Sequence, residues 1–501
     1  MRTLVLFSSV FILLVAVAYY LIFSTGSKAP TQDPPKKYNV VMIVSDALRQ
    51  DVLGCYGGVA ETPYINWLAK NGILFENAYS TSPWTSPSAV SMFTGNYATS
   101  YEYSIEGRFK KHPIAQKSEY IFIPQIYVPH SEFLFVESLK QLDYVAGMVI
   151  ENISALMHNN LQGFDSIPQF KHSKQMADSI NNLTRGGLYD SWRESEAYRY
   201  SFCVLEHLLN IRPGESFFTL HWILDPHSPY DPVEKFASRI DVDESKLPVP
   251  RSYYSKTKYD RKKCSMVEQI YIRDLYFAEV ESVDERVGFI LQILKHKNLL
   301  DNTYIVFTSD HGEQFGEHGL FEHGGHGLNC HYYEGLIRVP LIIAGPELPK
   351  GKRIKDYVSL LGLMPTLKDL LGVKYKDNMQ GDSYRPLIFE NVEESEFLYF
   401  DDVQEHDQID ALVENNYKLI CSKGSKFELY DIVADPQERI NFATRIPQLV
   451  ESMYDKILKM RNENKHRRKQ NLMALGDNLD LMSDEEKREV VEKLRSLGYI
   501  K

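Results

Sequence analysis

Four short apolar runs, each closing on a residue that can turn the chain or bind a cation, constrain this sequence more than anything else in it. Val40–Ser45 (VVMIVS) runs into Asp46, Phe217–Leu224 (FFTLHWIL) into Asp225-Pro226-His227, Tyr304–Ser309 (YIVFTS) into Asp310-His311, and Val339–Ala344 (VPLIIA) into Gly345-Pro346. Unbroken apolar runs of this length, separated by helical stretches, predict strands buried on both faces of a parallel or mixed sheet. One such stretch is Val267–Lys295, where Leu275, Val280, Val283, Val287, Ile290 and Leu294 recur near helical spacing. Ligands of open α/β sheets gather at the carboxyl ends of the strands. A lone Asp after a strand is most simply a helix cap. Three strand ends carrying Asp, two of them with His close by, predict a cation site instead.

Composition narrows the function classes. With 501 residues and 44% hydrophobic content, the chain can bury a large core, which excludes a disordered segment or a disulfide-stapled miniprotein. A net charge of −11 gives nothing for a phosphate backbone to recognise, so no nucleic-acid partner is expected. The five cysteines are widely spaced without a C-x-x-C pair and read as free thiols.

The amino-terminal stretch Thr3–Phe23 is free of charge. As a helix it spans about 31 Å, enough for a bilayer core and longer than a usual cleaved signal. Residues 1–23 therefore read as a single-pass signal-anchor, with cleavage near Gly26 as the alternative, and the proline-rich residues 24–37 as a linker, with the body of the chain outside the cytoplasm. The basic run Lys465–Lys469 reads as a solvated helix face.

The segment from Ser82 to Gly95 (SPWTSPSAVSMFTG) is the most informative loop. Pro87 suits a first helical turn, which sets Thr85 just before a helix amino terminus, where free amides and the helix dipole favour an anion. A hydroxyl in that place either caps the helix or, beside a divalent cation, becomes a nucleophile.

At these residues the chain resembles the sulfatase family, within the alkaline-phosphatase-like superfamily. VVMIVSDALRQDVLGCYGG is similar to the family's opening strand and metal aspartate, TSPSAVSMFTG to its nucleophile signature, and TSDHGEQFGEHGLFEHGG with LIRVPLIIAGP to its second metal signature. ELYDIVADPQERINF resembles the strand and turn of its small carboxy-terminal sheet. The resemblance implies an α/β sandwich around a large mixed sheet over 38–390, a small antiparallel β subdomain over 391–445 and a helical tail over 446–501. Strands of the small sheet are expected near Leu398–Phe400, Tyr417–Cys421 and Phe427–Tyr430.

Carried over residue by residue, the resemblance implies one divalent cation (Ca, Mg, Mn or Zn) held by Asp46, Asp310 and His311, with Thr85 completing the site as nucleophile. His227 matches the histidine facing the ester oxygen, and an imidazole there can protonate a leaving group. His323 and His326 both fit the position of a basic residue that contacts the transferred group, and Asn152 is a further substrate-binding candidate.

Three departures matter. Thr85 stands where most members carry the Cys or Ser that becomes formylglycine, so that aldehyde is not expected here. Ala89 replaces the arginine expected four residues later, and His323 or Arg49 is the expected substitute for that charge. Ala47 replaces a second aspartate, which tilts the ligand set from calcium toward manganese, magnesium or zinc. The expected function is metal-dependent hydrolysis of a sulfate ester, on an anionic glycan, lipid headgroup or small molecule. Hydrolysis of a phosphoester or phosphonate, or headgroup transfer through a phospho-threonine, is the alternative. A membrane-anchored binding protein without turnover is the third reading.

Overall fold

The structure is a computed structural model and describes residues 37–104, 125–128, 134–151, 164–166, 180, 182–183, 196–241, 265–323, 331–374, 379–390, 397–401, 403, 409–422 and 426–477. The segment Thr3–Phe23, most of the linker, Asn152 and His326 lie outside the described residues, as does the chain beyond Asp477. Among the described residues no helix is long and apolar enough to cross a membrane.

Fourteen strands are described: β1 (Asn39–Ser45), β2 (Gly72–Tyr79), β3 (Glu102–Ser104), β4 (Gln125–Tyr127), β5 (Tyr144–Ile150), β6 (Asp165–Ser166), β7 (Ser216–Ile223), β8 (Thr303–Ser309), β9 (Arg338–Ala344), β10 (Lys352–Ser359), β11 (Leu398–Phe400), β12 (Asp410–Glu414), β13 (Tyr417–Ser422) and β14 (Lys426–Asp431). The main sheet has eight strands in the order β10-β2-β9-β8-β1-β7-β5-β6. It is mixed, because β9 runs antiparallel to both β2 and β8 while the other pairs are parallel. All four apolar runs of the sequence are strands of this sheet, adjacent in the order β9-β8-β1-β7.

Alternation along β1 explains the two-layer burial. Val41 and Ile43 face one core with Ile305 and Phe307 of β8 and with Leu275, Val283, Val287 and Ile290 of the long helix α2 (Met266–His296). Val40, Met42 and Val44 face the other core with Ala89, Met92 and Phe93 of helix α1 (Thr85–Thr94). The two-residue period of a strand sends neighbouring side chains to opposite faces, so a strand covered on both sides must be apolar throughout. All ten residues of α1 are buried. Ala89 is part of that apolar layer, so its methyl packs where a charged side chain is absent.

The small sheet is antiparallel in the order β11-β12-β13-β14. Its strand β12 went unexpected, since only Ala411-Leu412-Val413 mark it in the sequence. Helix α3 (Pro447–Asp477) covers it, with Val450, Met453 and Ile457 against Leu412, Leu419 and Leu429. A buried ion triad fastens the small sheet to the main one: Lys418 Nζ lies 2.9 Å from Glu334 and 2.5 Å from Glu438. Gly362 keeps the chain close to the 380s loop, because a Cβ there would lie 2.3 Å from Asp382 O. The described cysteines Cys55, Cys203 and Cys421 are free thiols.

Candidate active site

Strand register brings the metal-capable residues together. Ser45 of β1 is level with Ser309 of β8 and with Ile223 of β7. The next residues therefore leave neighbouring strands at one height, Asp46 from the centre and Asp310-His311 from one side. Among the described residues these three are the one group of three such side chains whose ligating atoms lie within 4.8 Å of one another, and all three are buried. The turn after Asp46 is tight, with Ala47 at φ 57°. It is pinned by Ala47 N donating to Asp310 Oδ1 (3.2 Å) and by Tyr276 OH donating to Ala47 O (2.9 Å). Gly312 lets the Asp310-His311 turn pack closely, since a Cβ there would meet Gly335 O at 2.0 Å.

Each ligating side chain is oriented by a second contact. Trp222 Nε1 donates to Asp46 Oδ2 at 3.0 Å, while Asp46 Oδ1 lies 3.6 Å from His311 Nε2. Asp310 Oδ1 accepts from His311 N at 3.0 Å, and its Oδ2, 3.4 Å from His311 Nε2, is buried with no hydrogen-bond donor. His311 Nδ1 is 2.8 Å from Gly312 O. A carbonyl only accepts, so Nδ1 carries the proton and Nε2 presents its lone pair. Burial pushes the Asp310 carboxyl up to about 7 and pulls the His311 imidazole down. Two desolvated carboxylates and a neutral imidazole nitrogen, with one carboxylate oxygen short of a donor, fit a divalent cation.

Thr85 is the first residue of α1 rather than the residue before it; Trp84 occupies the cap position, without a side-chain cap bond. The helix starts one residue early, so the threonine side chain does not cap. Its Oγ1 instead lies 3.3 Å from His311 Nε2. The nucleophile candidate and the metal-capable cluster are thus one constellation at a helix amino terminus.

His227 and His323 complete it. The His323 ring lies 4.4 Å from that of His311 and 4.8 Å from that of His227, centroid to centroid. His227 Nδ1 is 2.6 Å from Ser228 O, which leaves Nε2 for proton exchange. Burial takes the His323 imidazole down to about 4, against the opposing pull of Glu313.

The family model described as Sulfatase matches residues 38–373, more than half of the chain, and that described as N-sulphoglucosamine sulphohydrolase, C-terminal, matches residues 316–463. The chain belongs to the sulfatase family. Arylsulfatase K of Xenopus laevis is 27% identical over 84% of this sulfatase and 82% of that protein. Among solved structures, the phosphonate monoester hydrolase of Agrobacterium radiobacter superimposes with a TM-score of 0.63 at 19% identity, over 85% of this chain and 96% of its own. A protein solved with its substrate D-glucosamine-2-N,6-O-disulfate superimposes with a TM-score of 0.61 at 20% identity, over 86% and 99%. These two likenesses concern the fold.

Arg49 does not offset the missing arginine. Its guanidinium is bound to Asp51 at 2.8 Å and to Glu317 at 2.6 Å. Burial works against its charge, but these two carboxylates outweigh burial and hold it protonated. Asp225 is likewise engaged: its Oδ2 is 3.3 Å from Nη1 of the buried Arg286, which also pairs with Glu151. Glu151 accepts from Leu224 N at 3.1 Å, so this network supports the loop that carries His227 from below. Burial pushes the Asp225 carboxyl up to about 6 against the pull of Arg286.

Sequence reasoning missed Trp222, Ser88 and Glu313. Trp222, the penultimate residue of β7, faces the same layer as Val40, Met42 and Val44 of β1, and strand alternation contained that signal. Ser88 and Glu313 act through contacts that no local pattern announces.

Proposed function

We propose that this sulfatase hydrolyses sulfate esters with Thr85 as the nucleophile and without formylglycine. The observation that carries the reading is the 3.3 Å approach of Thr85 Oγ1 to His311 Nε2, inside the buried Asp46–Asp310–His311 cluster. A divalent cation held by Asp46, Asp310 and His311 would lower the pKa of the Thr85 hydroxyl, so that its oxygen is ionised near neutral pH. The imidazole nitrogen among the donors suits zinc or manganese better than calcium. Thr85 Oγ, its proton released to solvent on ionising, then attacks the sulfur in line, the ester S–O bond breaks, and the leaving oxygen takes the Nε2 proton of His227 in its imidazolium form. Water attacks the sulfur of the sulfo-threonine, its proton returns to His227, and sulfate leaves with Thr85 restored. The amides at the start of α1 favour the equatorial oxygens as their charge grows.

A second reading rests on the same threonine. Threonine yields no formylglycine, and a threonine ester of phosphate breaks down by the same attack of water at phosphorus, so a phosphoester or phosphonate is an equally apt electrophile for this geometry. Matched aryl sulfate, phosphate monoester, phosphodiester and phosphonate substrates, assayed with Thr85→Ala as control, separate the two. The sulfatase reading expects Thr85-dependent sulfate release to exceed phosphate release. The reverse order, with a phosphoryl adduct on Thr85, replaces it with phosphoryl transfer.

The substrate is proposed to be an anionic ester outside the cytoplasm, reached by a catalytic domain tethered through Thr3–Phe23. Support comes from the length and lack of charge of that segment. Protease treatment of intact cells that leaves the domain after Lys37 undigested would contradict this topology.

A further inference from the structure

Glu313 carries no assigned role, yet it is fully buried at the junction of three active-site loops. It follows the Asp310-His311 turn by two residues. Its Oε2 accepts from Tyr230 OH at 3.0 Å, and Tyr230 belongs to the loop Asp225–Tyr230 that bears His227. Its carboxylate also faces His323 Nδ1, at 3.3 Å to Oε1 and 3.4 Å to Oε2. Gln314 N donates to Oε1 at 3.3 Å. One carboxylate therefore holds the imidazole of His323 and the loop of His227 at once, and the two rings stand 4.8 Å apart.

A carboxylate has only acceptor sites to offer, so the shared hydrogen belongs to His323 Nδ1. His323 then presents Nε2 on its opposite edge. The same logic holds for its two neighbours, whose Nδ1 atoms meet Gly312 O and Ser228 O. Three adjacent imidazoles are thus fixed in one tautomer by three different acceptors, and only for His323 is the acceptor a side chain. A buried carboxylate is costly to desolvate unless several donors satisfy it, which this one achieves with Tyr230, His323 and Gln314.

We infer that Glu313 is a positioning residue, which sets the Nδ1–H tautomer of His323 and its spacing from His227, so that His323 Nε2 is directed at the transferred group. The inference rests on the proposed reading that His323 contacts that group, and it extends that reading to a residue that touches no substrate.

The test uses full-length protein labelled with 15N-histidine, and its two readouts are independent. Long-range 15N–1H correlation spectra, with the His323 signals assigned by their loss in His323→Gln, report the tautomer. Steady-state kinetics on an aryl sulfate report kcat and KM. In wild type the Nδ1–H form of His323 is expected. Glu313→Gln keeps the shape, but puts an NH2 donor at one of the two oxygen positions, where it faces the hydrogen of Tyr230 OH or of His323 Nδ1. It should mix the tautomers and lower kcat by about 10- to 100-fold with KM within about twofold, at unchanged metal content. Tyr230→Phe leaves the carboxylate to His323, so the tautomer should persist and kcat should fall only a few-fold. An Nε2–H tautomer in wild type, or a Glu313→Gln variant with wild-type kcat, overturns the inference. If no variant, wild type included, turns over a sulfate ester, the hydrolase reading fails while the tautomer still decides the role of Glu313.

Discussion

Ser88 donates its hydroxyl hydrogen to the backbone carbonyl of Asp310 at 2.6 Å, one helical turn beyond Thr85. This bond ties helix α1 to the end of β8, so the nucleophile's helix and the metal-capable turn move as one piece. Because Ser88 is buried, the bond cannot be replaced by solvent.

Ser88→Ala should therefore destabilise the protein by about 1–3 kcal/mol, the cost of leaving a buried carbonyl short of its donor. A small shift of Thr85 relative to His311 should also lower kcat by roughly tenfold to a hundredfold. Urea unfolding and steady-state turnover of the same variant check both halves.

The pH dependence of the metal-free protein follows from Asp310, whose carboxyl is raised by burial to about 7 from an ordinary 3.8. The native state then holds this proton more tightly than the unfolded chain. Its stabilising contribution is fully present below the unfolded value and is lost as pH rises through the folded one. Thermal unfolding in EDTA should show wild type losing stability relative to Asp310→Asn between about pH 4 and pH 7 and levelling off above that. Added divalent metal should reverse that trend in wild type only, because the cation takes the place of the proton.

Arg49 sits near the site but is already bound by Asp51, Glu317 and the carbonyl of Glu313. Arg49→Ala is expected to cost stability while leaving KM for an anionic ester within about twofold. A guanidinium that held the substrate would give a rise in KM of more than about tenfold, matching the loss of a charge-assisted bond.

Beneath His227, Arg286 is fully buried between Glu151 and Asp225. Arg286→Met should destabilise by about 3–5 kcal/mol, because removal of one partner leaves buried carboxylates uncompensated. Asp225→Asn, introduced into Arg286→Met, should recover part of that loss. A chemical-denaturation series of the wild type and the two variants measures it.

Much of this site was legible in the residues themselves. Asp46, Asp310 and His311 follow apolar runs that had to be strands, and strands of one sheet in parallel register bring their ends together. Thr85 was legible as a helix-start hydroxyl, although the helix begins at the threonine and not after it. What stayed hidden has a common physical form. Glu313 to His323, Ser88 to Asp310 and Trp222 to Asp46 are side-chain bonds whose partners are chosen by packing, and spacing along the chain carries no trace of most of them. The fate of Arg49 was misread for the same reason: a cation near a site looks available until the carboxylates that bind it are seen.

The proposed reaction depends most directly on the hydroxyl of Thr85, and steady-state sulfate release by Thr85→Ala at wild-type metal content tests it. A fall in kcat on the order of a thousandfold or more is predicted, as for other enzymes stripped of their nucleophile. Turnover within a few-fold of wild type would contradict it, and would leave the Asp46–Asp310–His311 cluster acting through some other nucleophile.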